Sequence, residues 1–271
     1  MFKTDGWIAM KITYLSCFAN ERPGSGNKAA VVQDFAENDE AKQKLAKELA
    51  LPVIVFIEQN RLLFFYPETE MSMCNHGALA AAAVLLRHSN ANEVQVFNRE
   101  GKRLYIKKQG EQFTLECGKA EILPVKVSHN EIVAMLNLSN PNVVNQDLPC
   151  VVASVGSPKL LVPLISLHEL KALSPNFALI KSWSLSNQVN GLYVYTQDVS
   201  EYDFYTRAFN PKTGNNEDAA TGVAAGALLG ALGMNGAITI GQGEGLGHPS
   251  LIVARSHNAN IAVGGRVVFN E

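Results

Sequence analysis

Two segments about half a chain apart carry the same succession of residue types, and this repetition limits the folds open to the 271-residue chain more than any other feature. In the first, Leu62-Leu63-Phe64-Phe65-Tyr66-Pro67 leads through a polar loop to Cys74-Asn75-His76-Gly77-Ala78 and the apolar run 79–85. In the second, Tyr205-Thr206-Arg207-Ala208-Phe209-Asn210-Pro211 leads through 212–217 to Asp218-Ala219-Ala220-Thr221-Gly222 and a run of alanine, glycine and leucine. Each unit reads strand, proline stop, loop and small-residue helix. Pro67 stands about ten residues before Gly77, and Pro211 about eleven before Gly222, as a two-copy repeat would place them. A helix built mainly of alanine and glycine has little bulk and no polar face, so a sheet can wrap it closely on several sides. The expected fold is α+β: two similar α/β-barrel-like halves, each a curled, mostly antiparallel sheet around a central Ala/Gly-rich helix, facing each other across a cleft.

The remaining chain supplies the strands. Short β-rich stretches bounded by turn signals predict strands near 11–18, 29–32, 53–58, 61–66, 94–98, 104–108 and 113–117, then near 151–155, 159–163, 191–196, 203–209, 251–255 and 262–269. Helical spacing or alanine content predicts helices near 39–51, 77–87, 167–173 and 221–232. The halves are expected to comprise 10–119 with about 257–271, and 120–256. Met10 directly precedes the strand-like Lys11-Ile12-Thr13-Tyr14-Leu15, which makes 1–9 an extension outside the fold.

Composition removes several function classes. The 23 Lys+Arg nearly balance the 25 Asp+Glu and no run of like charge stands out, so nothing marks a nucleic-acid or anionic-membrane partner. The strongly apolar stretches are too short to span a bilayer, and 1–11 lacks a signal-peptide core, so a cytoplasmic location is expected. Cys17, Cys74, Cys117 and Cys150 are widely spaced with no C-x-x-C, which reads as free thiols. No histidine and carboxylate cluster has metal-ligand spacing, so no metal is expected.

What remains is local chemistry at the two helix starts. A helix N-terminus presents unpaired N–H groups and about half a positive charge, and Gly77 and Gly222 leave an anion free to approach. Two such ends at one cleft suit a small carboxylate or an enolate-like intermediate. Cys74, Asn75 and His76 lie at one start, and Glu217, Asp218 and Thr221 at the other. Each has a plainer role open to it: Asp218 and Thr221 are ordinary N-cap types, and cysteine is among the most buried residues. The glycine run 241–247 lacks the Lys-Ser/Thr of a phosphate loop and reads as a turn.

With these residues in hand, the chain resembles the PhzF-like family of phenazine-biosynthesis isomerases, which shares a fold with diaminopimelate epimerase. Gly26-Asn27-Lys28-Ala29-Ala30-Val31-Val32 is similar to the family's G-N-P-A-A-V-V, and Cys74 to Ala83 to its C-G-H-A-T-L-A-A-A. Arg207 to Pro211, Glu217 to Gly222, Gln242-Gly243 with Gly247-His248-Pro249-Ser250, and Val263-Gly264-Gly265 resemble R-x-F-x-P, E-D-P-A-T-G, Q-G-x-x-x-G-R-P-S and V-G-G. The resemblance implies a cofactor-independent proton transfer on a small carboxylate-bearing metabolite, and a homodimer.

It also implies a departure. The family's general acid/base glutamate, in N-L-S-E-T-x-F, falls at Val53 of Ala50-Leu51-Pro52-Val53-Ile54-Val55-Phe56, and valine carries no proton. His76 and Asp218 match positions that bind and polarise substrate. Asn27, Asn75, Gly77, Ala78, Thr221, Gly222 and Val223 are the implied substrate- or anion-binding set. Cys74 also resembles the catalytic cysteine of the epimerase C-G-N-G-A. A thiol at a helix start is a competent base, while the corresponding position in the second half, near Thr221, is no thiol. Cys74, Glu70 or Glu217 would replace the missing glutamate. The competing reading is a non-catalytic small-anion binding or regulatory protein on the same scaffold, and Val53 supports it.

Overall fold

The computed structural model describes residues 10–197 and 200–270. The expected extension at 1–9 lies outside them. In the first part of the chain, β1 (Lys11–Ala19), β2 (Asn27–Gln33), α1 (Asp39–Leu49), β3 (Ile54–Glu58), β4 (Arg61–Phe65), β5 (Glu70–Met71), α2 (Asn75–Leu85), β6 (Glu93–Asn98), β7 (Arg103–Gln109) and β8 (Gln112–Lys119) follow in order. The short β9 (Glu121–Leu123) leads to α3 (His129–Leu136), β10 (Val151–Ser154), β11 (Lys159–Pro163), α4 (Leu167–Ala172), α5 (Phe177–Ser186), β12 (Leu192–Gln197) and β13 (Phe204–Asn210). Then come β14 (Asn215–Asp218), α6 (Gly222–Ala231), β15 (Gly236–Gln242), β16 (Ser250–His257) and β17 (Asn260–Asn270). The result is a mixed α+β fold.

Strand pairing repeats along the chain. β1 and β2 are antiparallel, β2 and β3 parallel, β3 and β4 antiparallel, β4 and β6 parallel, and β6, β7 and β8 successively antiparallel. The strands from β10 to β17 follow the same order: β10 and β11 antiparallel, β11 and β12 parallel, β12 and β13 antiparallel, β13 and β15 parallel, and β15, β16 and β17 antiparallel. β17 also pairs with β1 and β8, so the described strands form one continuous sheet.

The period of two along each strand decides which core a side chain enters. Ala29 and Val31 of β2, and Val53 and Val55 at β3, join the central cluster around α2 and α6; Ala30, Val32, Ile54 and Phe56 face outward under α1. Leu161 and Tyr193 likewise face the centre, and Leu160 and Leu192 lie under α3 to α5. α2 is buried from Asn75 to Ala83 and α6 from Gly222 to Leu229, with strands packed around both. Burial of a single leucine such as Leu228 is worth about 1.5–3 kcal/mol.

Three expectations need correction. The glycine run 241–247 is not all turn: Gly241 and Gln242 end β15, held by β13 and β16 on either side, and only Glu244–Leu246 form a 3₁₀ turn. α3 and α5 are helices where none was expected, each with an N-cap side chain, Ser128 and Asn176. β5, β9 and β14 are short strands that take their order from their neighbours.

Close packing of α6 makes a test. A Cβ at Gly230 would collide with Ala120, whereas one at Gly245 meets open space. Gly230→Ala is expected to lower stability in urea denaturation by about 1–3 kcal/mol despite alanine's better helix propensity, and Gly245→Ala to leave it unchanged.

Candidate active site

The two helix starts meet. A Cβ at Gly222 would come within 2.9 Å of both Asn75 Cβ and Phe18 Cζ, so glycine is required for α6 to begin this close to α2. Asn75 and His76 open α2 and Gly222 and Val223 open α6, and all four line one cavity with Tyr66, Met71, Met73, Cys74, Asp218 and Thr221. The N–H groups at these first helical positions have no intrahelical partner.

Cys74 is the N-cap of α2. Its Sγ accepts the Gly77 N–H at 3.4 Å and lies 3.3 Å from Nδ1 of His76. A Cβ at Gly77 would reach 2.9 Å from Val55, so glycine here too permits the close seat. Cys17 Sγ donates to the His76 carbonyl at 3.1 Å and pins the first turn. Both members of the Cys74–His76 pair are buried. Burial disfavours the His76 imidazolium, but the charge and hydrogen bond of Cys74, with the charge of Asp218, outweigh it and raise His76 above the ordinary histidine value. Burial, and then the same two charges, push the Tyr66 phenol well above its usual range.

The other start is organised by Asp218. Asn27 Nδ2 donates to its Oδ1 at 2.6 Å and the Thr221 hydroxyl to its Oδ2 at 2.8 Å. Asp218 is therefore not a helix cap. Thr221 holds the N-cap place in α6 that Cys74 holds in α2, but makes no side-chain cap bond. Gln242 instead ties the segment before the helix: its Oε1 accepts the Thr221 N–H at 3.2 Å, and its Nε2 donates to the Asp218 carbonyl at 2.7 Å. Asn27 Oδ1 and Asn75 Oδ1 are buried with no partner among the described residues.

The other expected residues fall elsewhere. Ala78 and Val53 are fully buried in the central core, and neither lines the cavity; nor does Gly77. Glu217 is engaged by Arg207 at 2.7 Å and Glu70 by Arg99 at 2.6 Å, which leaves neither at the helix starts. His248 Nδ1 bonds the Gly24 carbonyl at 2.9 Å. A larger cavity of about 390 Å³ opens between α4, β13 and the end of β15, but none of Cys74, His76 or Asp218 lines it.

Of the cavity residues that the sequence reading did not single out, Lys159 is the charged one. Lys159 opens the apolar strand Lys159-Leu160-Leu161-Val162-Pro163, shares the inward parity of Leu161, and is buried to 4% exposure. Its Nζ donates to the Asn190 carbonyl and to Asn210 Oδ1. Burial lowers Lys159 to about 8, against the partial support of Asp218 and with the opposition of Lys212. A charge at the head of an otherwise apolar strand was the available signal. The cavity itself measures about 30 Å³, room for one or two waters, so a substrate must displace wall side chains such as the flexible Met71 and Met73. Among the described residues no three His, Cys, Asp or Glu side chains are placed to share a metal ion, and no helix is long and apolar enough to cross a membrane.

Comparison with known proteins adds four findings. A family model for phenazine biosynthesis-like proteins matches residues 15–270. An uncharacterized isomerase of Deinococcus radiodurans is 30% identical over 253 residues, covering 85% of this chain and 82% of the relative. Among solved structures, a predicted epimerase of Pseudomonas aeruginosa superposes with a TM-score of 0.81 at 25% identity, covering 97% and 98% of the two chains. A hydroxyproline epimerase of Agrobacterium vitis, with trans-4-hydroxy-L-proline bound, shares the fold alone: TM-score 0.60 at 9% identity over 98% and 92%.

The position of Lys159 gives a signed pH dependence. Its value falls from 10.5 to about 8 on folding, so between these limits the unfolded chain binds more protons, and this residue's contribution to stability rises with pH. Below pH 8 the buried charge costs up to about 3 kcal/mol. The stability of the wild type relative to Lys159→Met is expected to rise as pH is taken from 8 towards 10; a difference constant over that range would contradict the burial of a titrating amine.

Proposed function

This chain belongs to the phenazine biosynthesis-like (PhzC-PhzF) family, and from that premise we propose that it is an isomerase or epimerase moving a proton on a small carboxylate-bearing substrate, without a cofactor. The observation that carries this reading is the 3.3 Å contact between Cys74 Sγ and His76 Nδ1 at a helix start, in the same cavity as Asp218. The chain divides in this reading into 10–119 with about 257–271 and 120–256, two pseudo-symmetric barrel-like halves with the cavity between them, and it acts as a homodimer in the cytoplasm.

Cys74 and His76 share one proton between sulfur and nitrogen. In the imidazolium form the sulfur is free to take a proton from the carbon next to the substrate's carboxylate: the C–H bond breaks, an S–H bond forms, and the electron pair moves into the carboxylate as an enolate. The N–H groups of Gly222 and Val223 and the positive ends of both helices stabilise that charge. Return of that proton to a conjugated carbon gives a double-bond isomer; an epimer forms only if a second acid delivers a proton to the opposite face of the original carbon. Asp218, fixed by Asn27 and Thr221, orients the substrate from the other helix start. Cys74 stands in for the acid/base glutamate that Val53 cannot replace.

Val53, apolar and fully buried, also favours a second reading, a binder of small anions without chemistry. Solvent-deuterium incorporation into a panel of cyclic and amino acids separates the two. The enzyme reading expects exchange into at least one acid, reduced about a hundredfold or more in Cys74→Ala. Thermal protection by an acid with no exchange would establish the binder.

A further inference from the structure

The repeated strand pairing identifies the place that Lys159 occupies. The Ala30 N–H bonds the Val53 carbonyl at 3.2 Å, and the Leu160 N–H bonds the Gly191 carbonyl at 3.1 Å. Gly191 is therefore the counterpart of Val53, and Lys159 the counterpart of Ala29. Where the first copy places two apolar side chains, the second places a glycine and a buried ammonium. A Cβ at Gly191 would collide with the Phe209 carbonyl, so this position carries no side chain of its own, and Lys159 supplies the only ionisable group of the pair.

That ammonium is hydrogen-bonded but only partly charge-balanced: Asp218 favours it from beyond contact distance, and Lys212 opposes it. Asn190 and Asn210 take two of its three N–H directions with neutral oxygens. Among the described residues no carboxylate lies within 4.0 Å of it, whereas eleven other ion pairs meet that limit, including buried Lys42 with Glu58 at 2.7 Å. Lys212 adds a second cation nearby, its Nζ donating to Asn190 Oδ1 at 3.1 Å. A buried charge left unpaired is costly and calls for a counter-ion, and the surface left to Lys159 is the wall of the cavity that Cys74 and His76 also line.

We propose that Lys159 is the anchor for the substrate's carboxylate, so that the acid group sits beside Asn190 and Asn210 while the adjacent carbon lies against Cys74. The inference rests on the proton-transfer reading for its catalytic meaning, and on the cavity alone for binding. One ammonium balances one carboxylate. When the carbon loses its proton the electron pair flows into that same carboxylate, so the cation that holds the substrate also stabilises the enolate.

The test uses the full-length protein and two probes, acetate and benzoate, each compared with its neutral amide by calorimetric titration. The wild type is expected to bind an acid and not the matching amide. Lys159→Met and Lys159→Gln, each checked for native circular dichroism, are expected to bind that acid about thirtyfold or more weakly. A crystal of the wild type grown with 4-bromobenzoate should place a carboxylate oxygen within hydrogen-bond distance of Lys159 Nζ, which keeps the test open where neither variant folds. Undiminished affinity in a folded variant, a carboxylate seated elsewhere, or no binding of either acid by the wild type would overturn the assignment. Exchange chemistry judges the other reading separately. Acid binding through Lys159 with no deuterium exchange sinks the enzyme and keeps the anchor; exchange with unchanged affinity in Lys159→Met does the reverse.

Discussion

At Gly222 the first turn of α6 lies against Asn75 and the ring of Phe18, with no room for a Cβ. Everything distinctive about the cavity follows from this contact. Two helices of small residues, each enclosed by strands, can bring their N-termini together only if the meeting point carries almost no side chain. Once they meet, Cys74 and His76 from one and Asp218 and Thr221 from the other face the same small space, out of water. The low polarity of that space strengthens every charge interaction in it, which is why His76, though buried, holds its proton more tightly than an exposed histidine.

The surrounding polar groups keep this arrangement from collapsing into an apolar core. Asn27 fixes one carboxylate oxygen of Asp218 and Thr221 the other, while Gln242 satisfies the Thr221 N–H. These residues come from β2, β14, the start of α6 and the end of β15. A slip of one position in any of these strands would turn its residue to the opposite face and break the network. The duplicated pairing order sets the registers, and it also allows the two copies to diverge, as they have at Ala29 and Lys159 and at Val53 and Gly191.

Much of this was legible in the sequence for physical reasons. The runs after Gly77 and Gly222 are too small and too apolar to be surface helices, so their place at the centre could be read directly. Cys74 and His76 could be named because they stand at a helix start. Other features were hidden. α3 carries a Ser128 and Glu131 capping box, a local signal passed over among short apolar stretches. β15 is rich in glycine and gains its order from the strands on both sides rather than from its own residues. Asp218 looked like a cap and is instead a hydrogen-bond acceptor for Asn27, far away in the chain, and for the hydroxyl of nearby Thr221. Lys159 stood out only as a charge at the head of an apolar strand; Asn190 and Asn210, which receive it, reach it only through the sheet topology.

The central claim is that Cys74 and His76 act as one acid/base unit inside the cavity, and the titration of His76 followed by ¹⁵N NMR tests it most directly. In the wild type the ring is expected to lose its proton above the ordinary value of 6.5, and in Cys74→Ala at a lower pH, because burial remains while the charge beside the ring is gone. A midpoint that does not move on loss of the thiol would show that the two groups do not share a proton, and would contradict the account.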